Sequence, residues 1–117
     1  VNTCAISENY PPEIPMDTNL HLYTIRPPRQ GMLAAGATEA ESAILSRHFT
    51  FQQGLTEAGT LCMAGRTLTT GPESMGIVII NSGDEPTARA IMEDDPAVAE
   101  GVMTAVLFPF RISLHGR

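Results

Sequence analysis

A chain of 117 residues with 43% hydrophobic and 17% charged positions has the size and balance of one globular domain that buries its own core. A net charge of -6 argues against nucleic acid as a partner, because phosphate binding needs clustered cations. The seven basic residues are all arginine, which excludes lysine Schiff-base chemistry but suits recognition of carboxylate or phosphate.

Residues 1–19 are polar and punctuated by Pro11, Pro12 and Pro15. They are read as an extended N-terminal arm ahead of a single domain over 20–117. The arm has neither a basic start nor an apolar h-region, and no apolar run reaches the ~20 residues of a membrane span. Leu20 to Arg26 alternates as a first strand, with Leu20, Leu22 and Thr24 on one side and His21, Tyr23 and Ile25 on the other. Pro27 and Pro28 end it, and residues 29–37 read as a loop.

Thr38 and Glu41 form a capping-box pattern at the start of a long helix. Ala40, Ile44, Phe51, Leu55 and Ala58 form its apolar stripe, His48 falls on that stripe, and Gly59 is placed to stop the helix. Thr60 to Arg66 is the second strand. Met75 to Asn81 is the third and most apolar, joined to the second by a turn-rich loop. Ser82 and Glu85 offer another capping box, Pro86 suits a first helical turn, and Asp95-Pro96 opens a further short turn that Gly101 ends. Val102 to Leu114 alternates as the last strand, with Pro109 marking an edge or bulge.

The order β-α-β-β-α-β is the ferredoxin-like α+β arrangement, a four-stranded antiparallel sheet with two helices on one face. The other face, counted with Tyr23, Ile77 or Val78 and alternate residues of the last strand, is also apolar. A second copy covering it gives a homodimer through the sheet. Cys4 and Cys62 are too few for a disulfide framework. Cys62 reads as a small buried hydrophobe, and a cytoplasmic location follows. No Cys/His spacing suggests zinc and no glycine pattern suggests a nucleotide loop, so no metal or cofactor is expected.

The chemistry-bearing residues are few. His48 is a candidate general acid/base, since imidazole titrates near neutrality; the alternative is a buried neutral histidine. Asp95 is either the partner that orients His48 or an N-cap ahead of Pro96. Arg66 and Arg29 are candidates to hold an anionic substrate, or solvated charges at the ends of strands. Tyr23 supplies a hydroxyl donor beside the sheet, or is a core or dimer-interface aromatic. His21 is assigned to the surface or interface, and His115 to an inert tail.

His48, Gly59 eleven residues later and Gly65 six after that, followed by DPAVAEGV at 95–102 and FPF at 108–110, resemble the YciI-like (YCII-related) family over roughly residues 20–112. The resemblance implies a ferredoxin-like fold that dimerises as an α+β barrel. It also implies small enzymes or ligand-binding proteins whose histidine, here His48, works with an acidic partner. Some relatives eliminate halide from chlorinated aromatic intermediates, and muconolactone isomerases share the fold type. In the family an acidic residue often follows the first strand, where Arg29 stands here. The acid kept near the helix end, Glu57, lies on the opposite helix face from His48. The expected function is a small lyase or isomerase that moves a proton on a cyclic or aromatic anionic metabolite. The alternatives are a non-catalytic small-molecule-binding or accessory protein of the same fold, and an interaction module without a pocket.

Overall fold

The computed structural model describes residues 19–114 and 116, so the N-terminal arm up to residue 18, and His115, lie outside the described residues. The elements are β1 (Leu20–Arg26), α1 (Gly31–Ala35), α2 (Glu39–Glu57), β2 (Leu61–Arg66), β3 (Gly76–Asn81), α3 (Glu85–Asp94), α4 (Pro96–Ala99) and β4 (Thr104–Pro109). The sheet order is β2-β3-β1-β4 and each neighbouring pair is antiparallel. This is the expected ferredoxin-like α+β fold, with β3, the most apolar strand, and β1 at its centre.

The local signals act as their chemistry dictates. Thr38 accepts from the Glu41 N–H while the Glu41 carboxylate accepts from the Thr38 N–H, closing the capping box of α2. At the other end Gly59 has φ 79°. Its N–H bonds Thr56 O, and the Thr60 N–H bonds Leu55 O, the paired bonds of a Schellman stop. α3 departs from expectation, because Asp84 and not Ser82 is its cap, accepting from the Thr87 N–H at 3.0 Å. A cap at Ser82 would put Pro86 where the helix needs an N–H donor. A cap at Asp84 leaves Pro86 in the first turn, where none is needed. The loop expected at 29–37 contains the short helix α1, and the last strand is shorter than its alternation suggested.

The core lies between sheet and helices. Tyr23, Ile25, Val78 and Ile80 from the central strands meet Ala88 and Met92 of α3, with Leu55, Ile91 and Val98 packed around them. Tyr23 is fully buried, so it faces the helices, contrary to its count on the open face. Of Ile77 or Val78, Val78 faces the helices beside Tyr23, its register partner, and Ile77 takes the open face. His21, expected at the surface or interface, is 4% exposed and approaches Ser82 Oγ through Nδ1 at 3.5 Å. Cys62, expected as a small buried hydrophobe, is half-buried beside a register shift in β2. The opposite sheet face carries Leu22 between Ile79 and Phe108, and Thr24 between Ile77 and Val106. Val106 and Phe108 remain about half exposed.

Arg29 closes the turn between β1 and α2. Its guanidinium takes both oxygens of Glu41, at 2.8 and 2.5 Å, and also Gly36 O. The hydrogen bond from Arg29, first, and then the Thr38 N–H pull the Glu41 carboxyl from the ordinary 4.5 to about 2. A depressed carboxyl contributes stability that is present above its unfolded value and lost as pH falls through the folded one. Titration of the Glu41 side chain by NMR is expected to give a midpoint near 2. The contribution of the pair then fades between the ordinary value and that midpoint. In Arg29→Ala the midpoint returns toward the ordinary range. An unchanged midpoint in that variant would show that the pair is not formed.

Candidate active site

The site is built by the Asp-Pro turn between α3 and α4. Pro96 occupies the first turn of α4, and Asp95 is its N-cap, with Oδ1 accepting from the Ala97 N–H at 3.0 Å. The cap is also the last residue out of α3, so the carboxylate is held at the junction of two helices. α4 packs on α2, and this places Asp95 Oδ1 2.7 Å from Nδ1 of His48. Asp95 Oδ2 accepts from the Tyr23 hydroxyl at 2.8 Å. Asp95 is fully buried and His48 is 14% exposed.

Three donors thus converge on one carboxylate, which is how a buried carboxylate is tolerated. Since that carboxylate accepts at Nδ1, the neutral imidazole carries its proton there and leaves Nε2 with a lone pair. Burial, then the Asp95 charge and the hydrogen bond to it, push the Tyr23 hydroxyl well above the ordinary phenol range. Tyr23 therefore acts as a permanent donor that fixes the second oxygen of Asp95.

His48 lines a cavity of about 320 Å³, at the low end of volumes that hold small ligands. Leu45 and Gln52 share its helix wall, Met32 and Leu33 of α1 cover it, and Ile25, Gly76 and Met103 form the floor. Gly76 is required at that floor, since a Cβ there would stand 2.9 Å from Ile25 Cγ1. The lining also includes the end of β2 and the loop after it, with Arg66, Thr67, Thr69 and Ser74.

Of the residues singled out from sequence, the structure brings His48, Asp95 and Tyr23 into one hydrogen-bonded unit and sets Arg66 on the same cavity. Arg29 is engaged by Glu41 and does not line it. Glu57, exposed in the last turn of α2, is not among the residues His48 bonds. Sequence reading missed the hydroxyl row of Thr67, Thr69 and Ser74. The density of hydroxyls in a loop already read as a turn was its one available signal.

A ferredoxin-like α+β domain with a carboxylate-held histidine on a mostly apolar cavity is the class of protein that fold and site define. Residues 22–111 match the YCII-related domain, and the chain belongs to that family. No curated protein matches it. Among solved structures it is similar to 5-chloro-2-hydroxyhydroquinone dehydrochlorinase (TftG) from Burkholderia phenoliruptrix AC1100 in complex with 2,5-dihydroxybenzoquinone. That likeness has a TM-score of 0.57 and 15% identity, over 78% of this chain and 93% of the other. At that identity the likeness is one of fold.

Proposed function

We propose that the protein is a small enzyme, a lyase or isomerase, that moves a proton on a cyclic or aromatic anionic metabolite bound in the cavity beside His48. The observation that carries this reading is the 2.7 Å bond from His48 Nδ1 to a fully buried Asp95. It fixes the tautomer and leaves Nε2 as the base. Nε2 takes a proton from the substrate. The electron pair released either expels a leaving group, as in an elimination, or reforms a double bond so that the proton returns at another atom, as in an isomerisation. Asp95 is a positioning residue that also balances the imidazolium formed in the step. Tyr23, expected among the substrate contacts, instead holds Asp95. Arg66 is the proposed partner for the substrate's negative oxygen. The name of TftG supports this reading by showing that a related fold hosts loss of HCl from an oxygenated ring.

The test is the His48 ring resonances in the folded protein, followed while 2,5-dihydroxybenzoquinone and 2,5-dihydroxybenzoate are added. Saturable shifts of the His48 signals are expected. If neither compound moves them at millimolar concentration, a ligand site for oxygenated single rings at His48 is excluded.

We also propose that the apolar sheet face is covered by a second copy of the chain. Phe108 and Val106 on β4 and Met63 on β2 are each about half exposed on a four-stranded surface with no helix over it among the described residues. A monomer seldom leaves so continuous an apolar face to water. Sedimentation equilibrium is expected to give twice the 12.5 kDa chain mass, and Phe108→Arg to give single chains with an unchanged far-UV spectrum. A wild-type mass of one chain at tens of micromolar protein would refute the dimer.

A further inference from the structure

The cavity is lined by two chemically different groups of residues, and those at the end of β2 and the loop after it have no role in holding His48. Arg26, Arg29, Arg47 and Arg89 are engaged by backbone or carboxylate oxygens. Arg66 lines the cavity, and its guanidinium, like that of Arg111, which does not line it, makes no hydrogen bond or ion pair with the described residues. A guanidinium left free at the mouth of a pocket in a chain of net charge -6 is a ready partner for an anionic oxygen.

Next to it the hydroxyls form a chain with a fixed direction. Thr67 Oγ1 donates to Met75 O at 3.3 Å and accepts from the Met75 N–H at 3.0 Å. Thr69 Oγ1 donates to Thr67 Oγ1 at 3.0 Å. The single hydrogen of Thr69 is thereby used, so the 2.6 Å contact between Thr69 Oγ1 and Ser74 Oγ takes its hydrogen from Ser74. Ser74 is 4% exposed and lines the cavity. Its oxygen ends the chain with lone pairs and no hydrogen to give. Arg26 reinforces this arrangement from behind, donating to Ser74 O at 3.2 Å, which ties the loop to the end of β1. A hydroxyl oxygen whose hydrogen is already spent can still accept one from a ligand donor.

We infer that the lining at the end of β2 and the loop after it is a two-part recognition subsite. Arg66 receives an anionic oxygen, and Ser74 Oγ accepts a hydrogen bond from a neutral ring hydroxyl. The ligand class it selects is a single oxygenated ring that carries both, such as a hydroxybenzoate. Much of the remaining lining is apolar (Ile25, Met32, Leu33, Leu45, Met75 and Met103), which suits the flat faces of that ring. This assignment rests on the cavity being the ligand site proposed above, and it goes further by fixing which groups on the ligand matter and which residues read them.

The experiment is calorimetric titration of wild type, Arg66→Gln and Ser74→Ala with 2,5-dihydroxybenzoate, benzoate and hydroquinone, with the His48 resonances recorded alongside. Benzoate lacks the hydroxyls and hydroquinone lacks the anion. Wild type is expected to bind 2,5-dihydroxybenzoate about tenfold to hundredfold more tightly than either. Arg66→Gln is expected to lose that advantage over hydroquinone, and Ser74→Ala the advantage over benzoate. Thermal melting of Ser74→Ala, compared with Thr69→Val, separates loss of the hydroxyl contact from loosening of the loop. If all three compounds shift His48 while both variants keep the wild-type preferences, the subsite is overturned and the His48 site stands. If no compound shifts His48, both fall together.

Discussion

His48→Gln is expected to reduce turnover by about 10²–10⁴-fold, the range a positioned general acid/base contributes, and to leave the melting temperature within a few degrees of wild type. The asymmetry follows from the geometry. Glutamine keeps a donor in reach of Asp95 Oδ1, so the buried carboxylate is not stripped of a partner. It cannot accept and return a proton at the place Nε2 occupies. Chloride release from 5-chloro-2-hydroxyhydroquinone, the compound in the name of TftG, is the assay that addresses the elimination form of the proposal. Wild-type release that survives His48→Gln would remove His48 from the chemistry. A loss of release accompanied by unfolding would instead make His48 a packing residue. Far-UV spectra of the variant tell these two apart.

Asp95→Ala is expected to be the most damaging single change to the fold. It leaves the Tyr23 hydroxyl fully buried without its acceptor, at about 1–3 kcal/mol. It also removes the N-cap of α4, at about 0.5–2 kcal/mol. For a domain of this size such losses lower the melting temperature by on the order of 10–30 °C. Asp95→Asn separates stability from function. An amide has an oxygen for His48 Nδ1 and an NH₂ that Tyr23 can accept, so most of the packing survives. The charge that balances the imidazolium does not. Loss of one charge-assisted bond lowers turnover about 10–100-fold, while melting changes far less than in Asp95→Ala. If Asp95→Asn turned over substrate at the wild-type rate, Asp95 would be a cap and nothing more. Its two roles would then collapse to the one that α4 requires.

Much of the fold was legible because it is written in local rules. The capping box at Thr38, the αL stop at Gly59 and the Asp95-Pro96 start of α4 each depend on a few neighbouring residues, and each stands where the sequence put it. Errors fell where a local pattern has two solutions. Ser82 and Asp84 both precede an acidic-or-proline first turn, and the choice turned on which register spares Pro86 from needing an N–H. Alternation in β1 separated Leu22 from Tyr23 but could not tell which side the helices would take. Tyr23 fits the open face by alternation alone, and only the packing puts it beneath the helices. The same ambiguity hid the role of Tyr23, whose hydroxyl meets an acid 72 residues away.

The sequence by itself determined the order of the strands and main helices, the cap and stop of α2, the Asp95-Pro96 start of α4, the ferredoxin-like topology and two residues able to do acid/base work, because those follow from turn residues, periodicity and side-chain type. Tertiary structure alone decided that His48 and Asp95, 47 residues apart, are hydrogen-bonded partners, that Arg29 belongs to Glu41, and that Arg66 and Ser74 both line the cavity. The physical reason is range. A cap or a stripe is fixed by neighbours along the chain, whereas a buried hydrogen bond between α2 and the α3–α4 junction exists only once the sheet has set where those helices lie.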